Sequence, residues 1–531
     1  MVHTADRLCN GIIDIHILKT QNFDCDKEPF FYNPRTKIYV SFVGYLNNLQ
    51  EIRSRCGSGM DSCAKIIEYF YSQSKLDFVA ELDGIFLVLI YDEKEQKCYI
   101  FQPEMGFNLP VYYTYTENDF IISTSLKSIL KEMPAKRELN SNAVRDFLHF
   151  EYMIPNESTL IKDVHKLVPG RYIEVDCQKH SFDLKYVPSV RKQRRIAKAI
   201  AKAHLVDSIE ASIGNLVKQL KTKCMAMTLT AGWDTNLILF CLRKLVSGTI
   251  KTATIRGGRT KNEVTSAERI LKNNYENVEQ ITSTVKENII DSLPEILWRY
   301  EGYLFQEGMF LRYELAKTLN RKKYSIVFLG TCADQILFTE TAFKQWLRKV
   351  YHMRNPVRAL RRSIQKTSSK VRYTILIDYN LKMHEIMLNS FDIQGIYPFV
   401  NRETARLSES LGIFLGWRKR YYKVKLKEVL GPGITRYITK SGDLVDTEEI
   451  FSKHRELLMK IMKSTFVRMI LRRKQIRRIL RNPGRYHLFI IQLAYIYLFN
   501  ELFVSGRFDS LFDNPCLRIP LSDVLGECKF E

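Results

Sequence analysis

The sequence lacks the features that mark several large classes of protein. Its eleven cysteines include no CxxC pair of the kind that binds zinc, which argues against a zinc finger and favours free thiols in a reducing compartment. Residues 1–6 contain neither a positive segment nor an apolar core, so no secretory signal is predicted. We therefore expect a cytoplasmic protein.

Long uninterrupted hydrophobic runs are also missing. The most apolar stretch, residues 486–504, is broken by His487, Gln492, Asn500 and Glu501. A membrane span of about 20 residues rarely carries so many polar groups. This stretch is therefore predicted to be a buried core helix, and no membrane span is expected.

Acidic residues are few relative to basic ones. The chain has 81 Lys and Arg against 58 Asp and Glu, a net charge of +23, which suits an anionic partner such as a nucleotide, an acidic peptide or a membrane surface. Because no RNA-binding signature with interleaved aromatics is present, no nucleic acid is expected. Two basic clusters are solvated helix faces or contacts for phosphate or acidic peptide. They comprise Arg354, Arg358, Arg361, Arg362, Lys366, Lys370 and Arg372, and Arg468, Arg472, Arg473, Lys474, Arg477, Arg478, Arg481 and Arg485.

The length of 531 residues allows two or three domains with sizeable cores. Residues 1 to about 185 are strand-rich, and the polar, basic segment 185–194, which contains Pro188, is typical of a linker. The sequence predicts one domain over 1–188 and a second over 196–531. The fold class is α/β, with a sandwich of stacked sheets and flanking helices followed by a parallel sheet.

Short apolar or aromatic runs and amphipathic patterns predict the elements of both domains. In the first, strands are predicted at 37–43, 84–91, 97–102 and 120–123, with helices at 62–72 and 141–150. In the second, helices are predicted at 201–220, 237–245 and 263–272, and strands at 225–229, 250–255, 278–281 and 325–329. Alternation of this kind indicates a parallel sheet that binds ligands at the carboxyl ends of its strands.

One such end has the composition of a phosphate-binding turn. The apolar run 225–229 stops at Thr230-Ala231-Gly232-Trp233-Asp234-Thr235, and a helical pattern follows. Small residues allow backbone N–H groups to approach an anion, and a helix N-terminus adds positive potential. The turn is not a Walker loop, because no G-K-[ST] follows. Asp234 offers a carboxylate for Mg²⁺, although an ordinary turn with a capping aspartate has the same residues.

A second turn of similar composition follows the strand predicted at 325–329. It reads Gly330-Thr331-Cys332-Ala333-Asp334, and the ordinary interpretation of Asp334 is a helix N-cap. Because carboxyl ends of parallel strands meet at one edge of a sheet, Asp234 and Asp334 are expected to lie together. Two carboxylates at that edge could share magnesium ions around one triphosphate.

The order of these elements resembles the asparagine synthetase family, in which a class II glutamine amidotransferase domain precedes an ATP-pyrophosphatase synthetase domain. The family loop S-G-G-L-D-S corresponds to the turn 230–235, and the family S-G-E-G-[AS]-D-E corresponds to residues 329–335, with Thr331 in place of the glutamate. Further on, Pro398 and Phe399 match a family P-F pair, and Pro432 and Lys440 have the spacing of a family proline and a lysine that contacts the reacting acyl-phosphate region.

The amino-terminal half also resembles the family. Segments 43–48, 58–62, 81–86, 106–112 and 165–170 follow the order of the family's glutaminase motifs. The departures concern catalysis. The family's glutaminase needs a cysteine directly after the initiator methionine, where this sequence has Val2, and its oxyanion asparagine falls on Val43. A valine is neither a nucleophile nor a side-chain donor. No glutamine hydrolysis is predicted, and the first domain is expected to serve as a scaffold or substrate-docking surface.

The resemblance implies a site and two cofactors, ATP and Mg²⁺. Asp234 and Asp334 would bind the metal and, together with Lys440, would serve catalysis, with Lys440 stabilising charge as it forms. The nucleotide-binding residues would be Leu229, Thr230, Gly232, Asp234, Thr235, Gly330 and Thr331.

The implied reaction is amide formation through an acyl-adenylate, with the amine supplied by a substrate. Macrolactam closure on an acidic or flexible precursor peptide, as in lasso-peptide cyclases, is the leading interpretation, with a leader-peptide-binding protein or protease as a further partner. β-Lactam synthetases are less favoured, because no tyrosine–glutamate pair for acid–base chemistry is identified and Thr331 cannot replace a glutamate. An amidotransferase acting on a surface polysaccharide or another small carboxylic acid, and an inactive scaffold, remain alternatives.

Overall fold

The computed structural model contains three β-sheets and a helical carboxyl-terminal region. It describes residues 2–8, 13–19, 23, 29–57, 59–115, 119–133, 137–149, 156–188, 196–221, 224–256, 261–285, 288–306, 308–337, 369–411, 418–438, 447–514, 521 and 524. Two sheets lie in the amino-terminal half, with the orders β1-β2-β8-β7-β9 and β11-β10-β6-β5-β4-β3. The third, β14-β13-β12-β15-β16, is parallel.

The amino-terminal domain consists of the two mostly antiparallel sheets and short helices. Its strands are β1 Val2–Leu8, β2 Ile13–Lys19, β3 Phe30–Asn33, β4 Ile38–Leu46, β5 Gly84–Asp92, β6 Lys97–Phe101, β7 Tyr112–Tyr115, β8 Phe120–Ser123, β9 His165–Lys166, β10 Arg171–Asp176 and β11 Ser181–Tyr186. Its α-helices are Leu49–Ser54, Cys63–Ser74, Leu126–Glu132 and Ser141–His149, with a 3₁₀ turn at Asp77–Glu81.

Aromatic rings join the two amino-terminal sheets. Tyr113 and Phe120 of the first sheet pack on Phe182 of the second, with ring centroids 6.1 and 5.5 Å apart. The helix Cys63–Ser74 covers β4 with a buried apolar face and begins at Ser62, whose hydroxyl accepts a hydrogen bond from the Lys65 N–H. An N-cap of this kind satisfies a backbone donor that the helix leaves unpaired.

The second domain places helices around the parallel sheet. Its strands are β12 Met225–Thr228, β13 Ile250–Arg256, β14 Val278–Thr284, β15 Ile326–Phe328 and β16 Gln394–Ile396. Its helices are Lys198–Gln219, Trp233–Leu245, Lys261–Asn274, Leu293–Tyr300, Met309–Arg321, Ala333–Ile336, Ser369–Asn389, Arg402–Ser410, Arg418–Thr435, Thr447–Lys453, Arg455–Lys463, Thr465–Ile470, Arg473–Arg481 and His487–Phe499, and shorter 3₁₀ or π turns lie at Ile289–Ser292, Pro483–Tyr486, Asn500–Val504 and Asp509–Leu511.

The predicted α/β fold class is confirmed, and most predicted strands and helices are present within a few residues of their expected bounds. The sequence patterns missed β1, and they missed β10 and β16, of which the first is only partly buried and the second has three residues. Part of the predicted linker, residues 189–195, lies outside the described residues, and the division at 188 and 196 stays a prediction. The first basic cluster also falls outside the described positions, except for Lys370 and Arg372 in the helix Ser369–Asn389.

The apolar stretch near the carboxyl terminus forms the core helix that its interrupted composition predicts. In the described part of the chain, residues 483–504 are long and apolar enough to cross a membrane, with a mean hydropathy of 1.5, yet 67% of that window is buried inside the protein. Tyr495 is fully buried, and its hydroxyl donates to the Leu304 carbonyl at 2.7 Å. A helix that is buried in this way belongs to the core of the protein.

The two domains share a polar interface centred on Arg402. Its guanidinium donates to the carbonyls of Ala80 and Leu82 at 2.6 and 2.5 Å, and its backbone N–H donates to the Asp83 carboxylate at 3.1 Å. Nearby, the Asn47 amide donates to the Val400 carbonyl at 2.9 Å. These bonds tie the edge of the first domain to the segment that follows β16.

We expect Arg402→Ala to lower the free energy of unfolding by about 2–4 kcal/mol, because two charge-assisted hydrogen bonds disappear and two carbonyls lose their donors. Urea unfolding followed by tryptophan fluorescence measures the change. Arg406→Ala is the matched control, since the Arg406 ion pair with Glu403 is partly solvated and should contribute less than about 1 kcal/mol. Equal losses in both variants would contradict a structural role for Arg402.

Candidate functional site

Two turns meet at the carboxyl edge of the parallel sheet. β12 and β15 are direct neighbours, with Met225 opposite Ile326 and Met227 opposite Phe328. The turn after β12, residues 230–235, and the turn after β15, residues 330–334, therefore leave the sheet side by side. The sequence prediction that Asp234 and Asp334 lie at one edge agrees with this topology.

Hydroxyl groups hold the first turn in shape. The Thr235 hydroxyl lies 3.1 Å from the Thr230 hydroxyl and accepts a hydrogen bond from the Thr230 N–H at 3.2 Å. The Thr230 hydroxyl accepts from the Gly232 N–H at 3.2 Å. The fully buried Asn236 amide donates to the Gly232 carbonyl at 2.7 Å. The turn is thus preorganised by its own side chains.

The helix Trp233–Leu245 begins at Gly232, which has no side chain to cap the first helical N–H groups. The N-terminus of a helix left uncapped attracts an anion through its N–H groups and its dipole. Thr230, Gly232 and Asp234 are partly exposed, whereas Thr235 and Asn236 are buried. The partly exposed positions are those expected to contact a ligand. Leu229 differs from them, because it is fully buried and its N–H and C=O bond to Ala253 and Thr254.

Close approach of the two turns depends on Gly330. A Cβ atom at this position would lie 3.0 Å from the Thr235 methyl group and 3.5 Å from the Asp234 Cβ. A glycine therefore lets the second turn approach the Asp234 side chain and the Thr235 backbone. This contact is direct evidence that the two predicted turns are adjacent.

Cys332 gives the second turn a left-handed backbone. Its φ is 70°, and its side chain is 2% exposed. The sequence motif of the resembling family has glycine here, which adopts this conformation at low cost. The turn leads into the short helix Ala333–Ile336, where Asp334 lies in the first turn and Thr331 is partly exposed beside it.

Sequence reasoning missed Tyr422, a buried tyrosine in a helix that packs against the helix of Asp234. It belongs to the helix Arg418–Thr435, which packs on the helix Trp233–Leu245, and it is 1% exposed. Burial raises the pKa of the Tyr422 hydroxyl well above its usual value, and the charges of Asp234 and Asp334 raise it further. The sequence context of Tyr422, two tyrosines among lysines and arginines, gave no signal of this position.

A buried tyrosine–glutamate pair does exist, contrary to the sequence-based expectation that none could be identified. The Tyr397 hydroxyl donates to the Glu385 carboxylate at 2.7 Å, and the Gly395 N–H donates to the same oxygen at 2.9 Å. Burial raises the pKa of Glu385 to about 8. Tyr397 is fully buried and Glu385 is 2% exposed, so the pair lies within the protein. Tyr397 follows β16 at the carboxyl edge of the sheet, which we name the aspartate edge because Asp234 and Asp334 follow β12 and β15 there.

The segment of the first domain that resembles a glutaminase motif serves the domain interface. Val43 is 8% exposed and pairs with Leu87 inside the six-stranded sheet. Two residues on, the Tyr45 hydroxyl accepts a hydrogen bond from the Tyr397 N–H at 3.3 Å. Side chains of this segment thus contact the second domain. Val2 lies in β1, opposite Lys19 of β2.

The side chains and backbone groups of the aspartate edge are of the chemical types that bind ATP and magnesium. Two carboxylates supply the oxygen ligands that Mg²⁺ prefers, and the hydroxyl-rich turn and helix N-terminus supply groups that bind phosphate. Within the described part of the chain, no group of three or more His, Cys, Asp or Glu side chains could hold a metal, so phosphate and water would complete the coordination. Lys440 lies outside the described residues.

Comparisons with known proteins match both halves of the chain. Residues 17–187 match a family model described as a glutamine amidotransferase domain. Residues 217–377 match a model described as asparagine synthase. The second match contains both the 230–235 turn and the 330–334 turn.

Curated relatives are similar over part of their length. A protein named "Putative asparagine synthetase (glutamine-hydrolyzing) 2" from Methanocaldococcus jannaschii is 26% identical over 167 residues, which cover 30% of this chain and 32% of the relative. Asparagine synthetase (glutamine-hydrolyzing) 2 from Bacillus subtilis is 24% identical over 153 residues, 28% of this chain and 20% of the relative. The chain thus matches a third or less of each.

Among solved structures, the glutamine phosphoribosylpyrophosphate amidotransferase from B. subtilis, complexed with ADP and GMP, covers 43% of this chain and 64% of its own. Its sequence identity is 9% and its TM-score is 0.21. A similarity this low supports no structural argument.

Proposed function

This chain belongs to the asparagine synthetase family, and on that premise we propose that it is an ATP-dependent ligase that forms an amide bond through an acyl-adenylate. The observation that carries the proposal is the aspartate edge. Asp234 and Asp334 follow adjacent parallel strands, and Gly330 brings their turns into contact.

The residues at this edge would have different roles in adenylation. Magnesium bound with ATP would neutralise charge on the triphosphate. Asp234 and Asp334 would hold the metal, and the turn 230–235 would hold the pyrophosphate portion with its N–H groups and hydroxyls. A substrate carboxylate oxygen would then attack the α-phosphorus and release pyrophosphate. An amine would attack the acyl carbon and release AMP.

We propose that the amine does not come from glutamine. Val43 cannot donate a hydrogen bond where the family has an oxyanion asparagine, and the neighbouring Tyr45 and Asn47 bond to the second domain. The first domain would then act as a scaffold or a docking surface. Incubation with glutamine should release no glutamate above the rate without protein. ATP-dependent release of glutamate would instead show that the chain is a glutamine amidotransferase.

The reaction that we favour is macrolactam closure on a precursor peptide. We propose that it takes place in the cytoplasm. The support is general: the net charge of +23 attracts an acidic or flexible peptide, and a substrate amine is needed once glutamine is excluded. The tyrosine–glutamate pair is buried, so we do not propose it as the acid–base group of a β-lactam closure. Small carboxylic acids of a surface polysaccharide are the second candidate.

Exchange of labelled pyrophosphate into ATP tests the adenylation step. The wild-type protein should catalyse exchange only when its acid substrate is present, so peptides with acidic side chains and sugar acids are tested in parallel. Binding of ATP with magnesium is measured separately by calorimetry. A protein that binds no nucleotide is a scaffold and not a ligase, whereas one that binds nucleotide without exchange has been offered the wrong acid.

We expect Lys440→Ala to lower the exchange rate by about 10²–10³-fold, the effect of removing one donor that stabilises developing charge. The affinity for ATP with magnesium should change much less, because the lysine is proposed to act on the reacting acyl phosphate. Lys425→Ala is the control, since Lys425 pairs with Glu428 on the solvent side of its helix. Unchanged exchange in the Lys440 variant would remove this residue from the mechanism.

A further inference from the structure

The segment between Glu456 and Glu501 has an extreme charge pattern. Over residues 457–500 it contains ten Lys and Arg and no Asp or Glu. This segment folds into several helices, among them Thr465–Ile470 and Arg473–Arg481. The proposed ligase chemistry uses none of these cations.

The helix Arg473–Arg481 displays its cations on one face. With 100° per residue, Arg473, Arg477, Arg481, Lys474 and Arg478 fall within an arc of about 140°, and all five are exposed. The opposite side packs on the protein through Ile479, which is 5% exposed, and through Ile476 and Leu480. Within the described part of the chain, these five cations form no ion pair. We name Arg473, Lys474, Arg477, Arg478 and Arg481 the basic face.

An exposed apolar side chain precedes this face in the chain. Met469 is the penultimate residue of the helix Thr465–Ile470 and is 78% exposed, the largest exposed fraction among the large hydrophobic side chains of the described residues. A methionine this exposed buries little of its apolar surface within its own fold. It can enter the acyl region of a membrane while the cations contact lipid phosphates.

We propose that the basic face and Met469 form a docking surface for an anionic membrane. Charge complementarity supports this partner, because each cation near an anionic leaflet is worth about 1 kcal/mol. The chain would bind as a peripheral protein, since the apolar helix that follows is mostly buried in its own core.

Two other polyanions fit the surface less well. Single-stranded nucleic acid is bound by stacking bases on exposed aromatic rings, and every aromatic side chain in residues 457–500 is buried or half-buried. A peptide is recognised in a groove or along a sheet edge that orders it, whereas the outward face of a helix is convex. An array of cations on a convex face suits a broad layer of phosphates.

Co-sedimentation with vesicles tests the proposal on the full chain. The wild-type protein should bind phosphatidylcholine vesicles that contain phosphatidylglycerol, should not bind phosphatidylcholine alone, and should dissociate at high salt. The triple variant Arg473→Ala, Arg477→Ala and Arg481→Ala should bind the anionic vesicles about 100-fold more weakly, at about 1 kcal/mol for each cation. Alanine keeps the helix propensity high, and circular dichroism verifies the fold.

The control removes the same charge elsewhere. Arg321, Lys322 and Lys323 are exposed at the end of another helix, and their replacement by alanine should change vesicle binding by less than about twofold. Met469→Ser should weaken vesicle binding and leave binding to duplex DNA unchanged.

Three outcomes would overturn the membrane assignment. The wild-type protein could fail to bind anionic vesicles, or the control could lose as much binding as the triple variant. The triple variant could also lose DNA binding while it keeps vesicle binding, which would assign the face to nucleic acid. Pyrophosphate exchange in solution does not involve the basic face, so a failed ligase assay leaves this test unaffected.

Discussion

Asp234→Asn is expected to lower pyrophosphate exchange at least about 10³-fold, a loss of roughly 4 kcal/mol of transition-state stabilisation. Asparagine keeps the size of the side chain and removes its negative charge. If the carboxylate holds magnesium against the triphosphate, the neutral amide binds the ion much more weakly. The same substitution at Asp334 should have a similar effect, because its turn follows the neighbouring parallel strand.

Two measurements separate a lost metal ligand from a damaged fold. Calorimetry should show that the Asp234 variant loses affinity for ATP chiefly in the presence of magnesium. Thermal unfolding should show a stability no lower than that of the wild type, because removing one of two neighbouring carboxylates relieves repulsion. Asp207→Asn is the charge-matched control, since the Asp207 side chain is 61% exposed and should leave exchange unchanged.

Wild-type exchange by the Asp234 variant would disprove the proposed site. The double variant of Asp234 and Asp334 adds a further test. If both carboxylates hold one magnesium-bound triphosphate, the double loss should be smaller than the product of the single losses, because residues that act as a unit are not additive. Strict additivity would place the two side chains in separate roles.

The parallel sheet and its two turns could be predicted because each depends on local patterns. An apolar run that stops at small residues, followed by a helical period, reports a strand, a turn and a helix without knowledge of distant contacts. Parallel topology then places successive strand ends at one edge, and Gly330 against Thr235 is the contact that results. Local order was therefore enough to predict that the turns carrying Asp234 and Asp334 leave neighbouring strands.

Contacts made by distant parts of the chain could not be predicted in this way. Tyr422 lies in a helix that begins almost two hundred residues after Asp234 and packs on the helix of Asp234, and its sequence context resembles a solvated basic face. Tyr45 and Tyr397 meet across the domain interface at 3.3 Å. The tyrosine–glutamate pair likewise joins β16 to the helix before it. Each of these contacts depends on how helices and strands pack against one another. That packing leaves no hydrophobic periodicity or motif spacing in a single sequence.

A cluster of charged side chains buried between the domains could not be predicted from the sequence either, because it also depends on contacts between distant parts of the chain. Lys166 of the first domain is 7% exposed, and Asp378 and Lys382 of the second are 6% and 1% exposed. Asp378 forms an ion pair with Lys382 and accepts a hydrogen bond from the Tyr303 hydroxyl at 3.3 Å. The Lys166 ammonium lies 5.0 Å from the centre of the Tyr303 ring, beside a small cavity that Glu301 also lines.

Burial lowers the pKa of Lys166 to about 7, with Asp378 opposing the shift and Lys382 adding to it. An unfolded lysine keeps its proton up to about pH 10. Between these values the unfolded chain binds more protons than the folded one, so the free energy of unfolding should rise with pH, by at most about 1.4 kcal/mol per unit. Glu385 acts in the opposite sense, because its raised pKa of about 8 makes stability fall as pH rises from about 4.3 to 8.

Lys166→Met should therefore remove most of the rise in stability between about pH 8 and 9, where Glu385 contributes little further change. Urea unfolding at several pH values measures it as the difference between wild type and variant. Lys162→Met is the control, because Lys162 and its partner Glu138 are more than half exposed, and it should keep the wild-type slope. An unchanged slope in the Lys166 variant would mean that Lys166 keeps its proton at the interface.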